Sequence, residues 1–438
     1  MADKMRFVHQ VAHLFRGQVL HALAQFGVLA LLTHFGGKEQ SGLYVLGLIT
    51  TAPIFLFCEL NLRVVRSTDQ KYGESFISYV GLRAICLVLA TVISLLIGYL
   101  FFPDKFLPIA ALTAYRIGDS FSNLAFGGFQ RVQQSDLIGR TLTIKGLISL
   151  AVVLVVAWLS GGSAVIVGFA MASIAIWFGL LRDLPLAWQN NEPETPVSLS
   201  LVRDAMLDFS TNARITKRAL PLGFDASISS LALTIPQYFV EAIYGTAVLG
   251  VFGLLMKLAY SIQMLVGAVG HTGVSVLANH REENSRKQFW RLLNRMVATS
   301  LIVGGIAVIG GTLVLPKLLG YFFGTSYDQM WLIGILLVAS SLTGAQRTAG
   351  RATQACNQYF AYASFDVIIF STSLLASWLL VSQYGLIGAA ASLAIAFGIG
   401  LVATMLHTKF LLWPGNGAAN PTANGMMHPE NTASSKST

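Results

Sequence analysis

Charge is scarce in this chain. Only 11% of its 438 residues are Asp, Glu, Lys or Arg, against about 25% in an ordinary soluble domain. A surface cannot be covered with so little charge, so lipid is the expected solvent. Cysteine is scarcer still. Cys58, Cys86 and Cys356 lie in apolar runs, and no CxxC pair exists, which excludes a disulfide framework or a metal site of that spacing. There is no HExxH pair and no GxxxxGK phosphate loop, so neither a zinc hydrolase nor an ATPase is expected, and no cofactor or metal is implied. The basic start, MADKMRFVHQ, is not followed by a small-residue cleavage site, so the first apolar run is expected to be a retained anchor. The formal charge is +9, but the basic residues sit between apolar segments and form no basic domain. That placement excludes nucleic acid as a partner.

What is abundant is apolar length. Hydrophobic residues are 54% of the chain. A spanning helix needs about 20 consecutive, mostly apolar residues. That rule gives windows at 11–35, 42–65, 76–101, 107–130, 137–159, 163–185, 219–243, 246–276, 292–316, 329–352, 357–381 and 385–409. The runs are too long and too continuously apolar for barrel strands. The expectation is an all-α polytopic membrane protein with twelve transmembrane helices in two six-helix halves. Lysine and arginine set the orientation. With both termini cytoplasmic, 21 of the 29 basic residues fall in or beside cytoplasmic segments, three fall outside (Lys38, Lys105, Lys317) and five fall inside the membrane. The expected organisation is a bundle over 1–185, a cytoplasmic linker over 186–216, a second bundle over 217–412 and a disordered tail over 413–438. Ser41-Gly42-Leu43-Tyr44-Val45-Leu46 opens the second window, and Leu249-Gly250-Val251-Phe252-Gly253-Leu254 opens the eighth. Each follows a short outer turn after the first helix of its half. The match suggests a parallel repeat with a substrate site between the halves.

Ionisable residues inside these windows point to function, because each costs at least about 2.5–3.5 kcal/mol at mid-bilayer unless it faces a partner or a cavity. Arg16 shares one arc of the first window with His9, His13, His21 and Gln25. Arg116, Asp119, Ser120, Asn123, Gly127 and Gln130 form a stripe at steps of three and four, with Arg116 and Asp119 spaced to pair. Arg83 and Lys145 lie about two turns from the cytoplasmic edge, where snorkelling competes with a lumenal role. Glu59 and Arg63 are spaced as a structural pair. Ser227, Ser230, Thr234, Gln237 and Glu241 form a polar seam, with Asp225 on roughly the opposite side of a straight helix. Lys257 is too deep to snorkel easily. Arg347 shares a face with Ser340, Thr343 and Arg351, and Asp366 shares one with Tyr359, Tyr362, Ser373 and Ser377.

One stretch carries a signature: Arg218, Pro221, Asp225, then Ile235-Pro236-Gln237-Tyr238-Phe239-Val240-Glu241, Gly245, Leu249-Gly250-Val251-Phe252-Gly253 and Lys257. It resembles the polysaccharide flippases of the multidrug/oligosaccharidyl-lipid/polysaccharide (MOP) exporter superfamily. The resemblance implies a V-shaped, MATE-like fold with a central lumen. It implies movement of O-antigen or exopolysaccharide units on undecaprenyl pyrophosphate from the inner to the outer leaflet of a bacterial cytoplasmic membrane. A polysaccharide polymerase and chain-length proteins would be partners. Under that reading Arg16, Arg83, Arg116, Lys145, Lys257 and Arg347 form an anion path, and Asp119, Asp225, Glu241 and Asp366 are coupling candidates. The rivals are a cation-coupled multidrug exporter of the same fold, which would favour a carboxylate-lined cavity, and a non-transporting assembly scaffold.

Overall fold

The computed structural model describes residues 2–410 except 69–72, 195–197, 273–276, 278–279, 282, 284, 325–328 and 357–358. Within it, the side chains of 2–12, 68, 262, 264–272, 354, 359–360 and 362 are not described. The predicted tail, and the side chains of His9, Tyr359 and Tyr362, therefore lie outside the described residues.

Every long element is a helix, and no strand occurs among the described residues. In chain order these are α1 (Ala2–Cys58), α2 (Leu62–Thr68), α3 (Phe76–Phe101), α4 (Phe106–Arg131), α5 (Ser135–Ser160), α6 (Ala164–Ile176), α7 (Leu184–Asn191), α8 (Leu199–Leu207), α9 (Phe209–Tyr244), α10 (Thr246–Thr272), α11 (Arg286–Phe323), α12 (Met330–Ala355) and α13 (Tyr359–Phe410). A π-helical turn, Trp177–Asp183, joins α6 to α7. Among the described residues, eight helices are long and apolar enough to cross a membrane, and the protein is a multi-pass membrane protein. The described residues of the apolar windows are largely helical, with the exception of the break at residues 59–61.

Glycine sets the reversals. α1 is broken at Gly37 (φ 75°) and α13 at Gly385 (φ 59°), while Gly245 (φ 82°) separates α9 from α10. Only glycine adopts such angles without strain. These breaks gather at one end of the bundle. There Gly36 abuts Gly162, the Tyr244 ring approaches Gly385, and Lys105 reaches Glu241.

The outside of the bundle is apolar. On α3, Val88, Val92, Leu96 and Phe101 are all more than half exposed, an apolar stripe suited to lipid. α4 is the reverse case. Its polar stripe lowers its hydropathy, and it is buried along most of its length, with Phe121, Leu124, Ala125 and Phe129 all in the interior. α4 is thus the centre of the packing among α1, α3 and α6.

Two expected boundaries shift. The segment 186–216, expected as a linker, contains most of α7, all of α8 and the first two turns of α9. Helix α8 is capped by Ser198 and packs its Ala205 and Met206 against Gly81 of α3. α9 starts ten residues before its apolar window, because Phe209–Arg218 is too polar for a hydropathy rule yet is capped by Asp208, whose carboxylate accepts the Thr211 N–H at 3.1 Å. The window 42–65 is also divided. The helix ends at Cys58, and Leu60 and Asn61 take left-handed angles before α2 begins.

The two matched hexapeptides meet each other. A side chain at Gly42 would lie 1.8 Å from the Thr246 carbonyl oxygen, and one at Gly250 would lie 2.0 Å from that of Lys38. Gly253 faces Val45. Gly42 and Gly250, like Lys38 and Thr246, are 208 positions apart, so the contact is reciprocal, as in a two-fold interface.

Candidate functional site

A cavity of about 590 Å³ opens between α1, α4, α9, α10, α12 and α13. Arg116 and Lys257 reach it from α4 and α10. Asp225 reaches it from α9, Arg347 from α12 and Asp366 from α13. The charges are layered. At 1.5 Å per residue, Arg116 and Lys257 lie about 15–17 Å from the starts of their helices at the glycine-turn end, and Asp225 lies about 28 Å from that end of α9. Between and above these layers the wall is hydroxyl and amide, from Ser229, Ser230, Thr234, Gln237, Ser340 and Thr343, and apolar, from Leu29, Val45, Ile49 and Leu336.

The upper layer has spare donors. A guanidinium has five N–H donors. Arg116 uses Nε on the Thr51 hydroxyl and one terminal nitrogen on the Leu48 carbonyl, both at 3.4 Å. Neither Arg116 nor Lys257 forms a salt bridge with a described residue. Two cations facing one cavity without a carboxylate partner can take an anion, and a phosphate is the natural match for the planar fork of arginine. In the lower layer Asp225 and Asp366 lie close together, with Ser229 and Arg347 beside them on the cavity wall.

The structure separates the other expected site residues from this cavity. Lys145 bonds Asp119 at 2.7 Å, so Asp119 does not pair with Arg116 and both side chains serve the packing of α4 on α5. Arg83 is fully buried. It donates to the Ser120 hydroxyl at 3.1 Å and sits 3.7 Å from Glu59, which also accepts from Asn123. The expected pair of Glu59 and Arg63 is therefore replaced: Glu59 turns to Arg83, and Arg63 donates to Gln130 across the left-handed break at residues 60–61. Arg16 is exposed on α1 and is absent from the cavity lining.

Asp225 and the seam are reconciled on one helix. The lining residues of α9 are Asp225, Ala226, Ser229, Ser230, Leu233, Thr234 and Gln237, a continuous face at steps of three and four. Ser227 leaves that face to bond the Pro53 carbonyl at 3.0 Å. Glu241 leaves it to pair with Lys105 and to accept the Thr246 hydroxyl at 3.0 Å. That ion pair ties the loop before α4 to the end of α9. Losing Lys105 strands a buried carboxylate, a cost of roughly 1–3 kcal/mol or more. Lys105→Ala should therefore lower the melting temperature in detergent, and Lys105→Ala/Glu241→Ala should recover part of the loss; strictly additive losses would contradict the pairing.

Sequence reading missed Tyr260 and Gln263, which line the cavity. Their spacing from Lys257, three and six residues on, is a helical face that was legible. It also missed the buried Asp183, which accepts from Ser122 at 3.0 Å and Thr141 at 3.3 Å beside the π-helical turn. No periodicity marks that turn in advance.

The chain is 23% identical over 402 residues to the capsular polysaccharide biosynthesis protein CapF of Staphylococcus aureus, covering 89% of this chain and 96% of that protein. It is 24% identical over 268 residues to the probable low-salt glycan biosynthesis flippase Agl15 of Haloferax volcanii, covering 58% of this chain and 52% of the relative. No protein-family model matches. Among solved structures, the lipid II flippase MurJ in an inward closed conformation superposes with a TM-score of 0.71 at 13% identity, over 92% of this chain and 88% of that one. An inward-facing multidrug resistance MATE family transporter of the MOP superfamily superposes with a TM-score of 0.70 at 12% identity, over 91% and 97%. These neighbours are transporters and flippases, not enzymes. The chain has the fold of the MOP superfamily, and its sequence relatives are named for polysaccharide and glycan biosynthesis.

Proposed function

We propose that this protein is a flippase that moves undecaprenyl-pyrophosphate-linked oligosaccharide repeat units from the inner to the outer leaflet of a bacterial cytoplasmic membrane, for O-antigen or exopolysaccharide synthesis. The observation that carries the reading is the pair Arg116 and Lys257, two cations without a carboxylate partner among the described residues, in the central cavity. Twelve crossings in two six-helix halves, related across the Gly42–Gly250 contact, would place that cavity on the axis between the halves, and both termini would be cytoplasmic. The pyrophosphate would bind Arg116 and Lys257, and the sugars would lie along the hydroxyl and amide wall. The lipid tail would stay in the bilayer. Moving two negative charges outward is favoured by roughly 2.3 kcal/mol per charge per 100 mV, inside negative. Asp225 and Asp366 would carry the coupling proton or cation.

The carboxylate pair, with Tyr260 lining the same cavity, favours a second reading: a cation-coupled exporter of cationic drugs. Binding separates the two. A short-chain polyprenyl pyrophosphate carrying a disaccharide should bind the purified protein, and excess inorganic pyrophosphate should displace it. Binding of ethidium with no binding of the pyrophosphate lipid would support the exporter.

A further inference from the structure

Helices α1 and α9 cross beside the cavity; α1 carries an internal proline at Pro53, and α9 carries two, Pro221 and Pro236, of which Pro236 concerns this crossing. Proline has no N–H, so the carbonyl four residues back loses its intrahelical donor. Those carbonyls belong to Ile49 and Ala232. A buried carbonyl must find another donor, and both do, from a different helix. The Tyr238 hydroxyl on α9 donates to the Ile49 oxygen at 3.0 Å. The Ser373 hydroxyl on α13 donates to the Ala232 oxygen at 2.8 Å.

The two sides of Pro53 are held by different neighbours. Before it, Gly42 and Val45 pack on α10. After it, Phe55 and Cys58 are buried with Leu87 and Phe121 of α3 and α4. The helix between these anchors lacks one hydrogen bond. α9 touches both sides, through Tyr238 above and through Ser227, on the Pro53 carbonyl, below. α9 is also bonded to α13 at its own proline-freed carbonyl, so it can leave α1 without leaving α13.

We propose that Pro53 is a hinge in α1 and that the Tyr238 hydroxyl is its removable lock. With the lock in place α1 stays helical through Pro53. When α9 withdraws, the Ile49 carbonyl turns to water in the cavity and the arm after Pro53 bends. Ala52 and Leu56, on either side of the proline, line the cavity, so bending changes its width. The hinge stands whatever the cargo, and its test reads helix opening, not transport.

Hydrogen exchange of the full-length protein in lipid nanodiscs, followed over residues 50–58, provides that test. Tyr238→Phe should speed exchange there about fivefold, the loss of one net hydrogen bond. In a Pro53→Ala background, where an N–H again serves Ile49, the same change should alter exchange less than about twofold. Pro53→Val supplies the same N–H should the alanine variant not fold. Equal acceleration in both backgrounds, or none in either, would overturn the proposal.

Discussion

Arg116→Ala and Lys257→Ala should each lower translocation of the proposed glycan lipid about 10- to 100-fold while leaving the amount of folded protein unchanged. The magnitude follows from a charge-assisted hydrogen bond, worth roughly 1.5–3 kcal/mol, with about 1.4 kcal/mol per factor of ten. The separation of function from folding follows from the geometry. Arg116 holds its protein neighbours only at 3.4 Å, and Lys257 forms no salt bridge with a described residue, so removing either leaves no buried charge stranded. Lys145 and Arg83 are the contrast. Lys145→Ala strands Asp119, and Arg83→Ala strands Glu59. Breaking a buried pair from one side costs about 3–5 kcal/mol; the Arg83–Glu59 pair is buried, so Arg83→Ala should fail as folded protein, while Lys145→Ala, which strands a half-buried Asp119, should lose less. Size-exclusion profiles and translocation rates of the four variants measured side by side check the division. Wild-type export by both Arg116→Ala and Lys257→Ala would remove the anion path.

The second large effect is at the helix crossing. Gly250→Ala would set a methyl group 2.0 Å from the Lys38 carbonyl oxygen, 2.5 Å from the Ser41 hydroxyl and 2.8 Å from the Gly42 nitrogen. Two of these three atoms are backbone and cannot rotate away. The expected cost is at or above the usual overpacking range of about 1–3 kcal/mol, read as a lower melting temperature and less folded protein. Gly42→Ala, at 1.8 Å from the Thr246 oxygen, should behave alike, because the contact is reciprocal. Gly305→Ala is the control. Nothing lies within 4 Å of an added side chain there, and it should be neutral or stabilising by roughly 0.5–1 kcal/mol, as alanine is in a helix. Equal effects at Gly250 and Gly305 would contradict the close crossing.

Much of this architecture is legible in the sequence, because lipid imposes a simple rule on composition. Apolar length marks the helices, and the gaps between windows fall at or beside the breaks that the structure sets at Gly37, Gly245 and Gly385. Hydropathy fails where a helix leaves lipid. The first turns of α9, Phe209 to Arg218, are polar and extend into a region expected to be a linker. It fails again for charge partners. Spacing along one helix suggested Glu59 with Arg63 and Arg116 with Asp119. The observed partners, Arg83 and Lys145, come from other helices, and no periodicity within one segment encodes them. The cavity face of α9 was half legible. Asp225, Ser230, Thr234 and Gln237 were all visible as polar positions, but only packing reveals that Ser227 turns to Pro53 and Glu241 to Lys105.

The cavity is proposed to carry a pyrophosphate-linked glycan. Proteoliposomes containing the purified protein and a fluorescent polyprenyl-pyrophosphate oligosaccharide test it most directly, with transfer between leaflets read by accessibility to a membrane-impermeant reagent. The account predicts protein-dependent transfer that slows when pyrophosphate is removed from the lipid and is lost in Arg116→Ala/Lys257→Ala. Transfer at the wild-type rate by the double variant, or transport of ethidium with no movement of the glycan lipid, would contradict it.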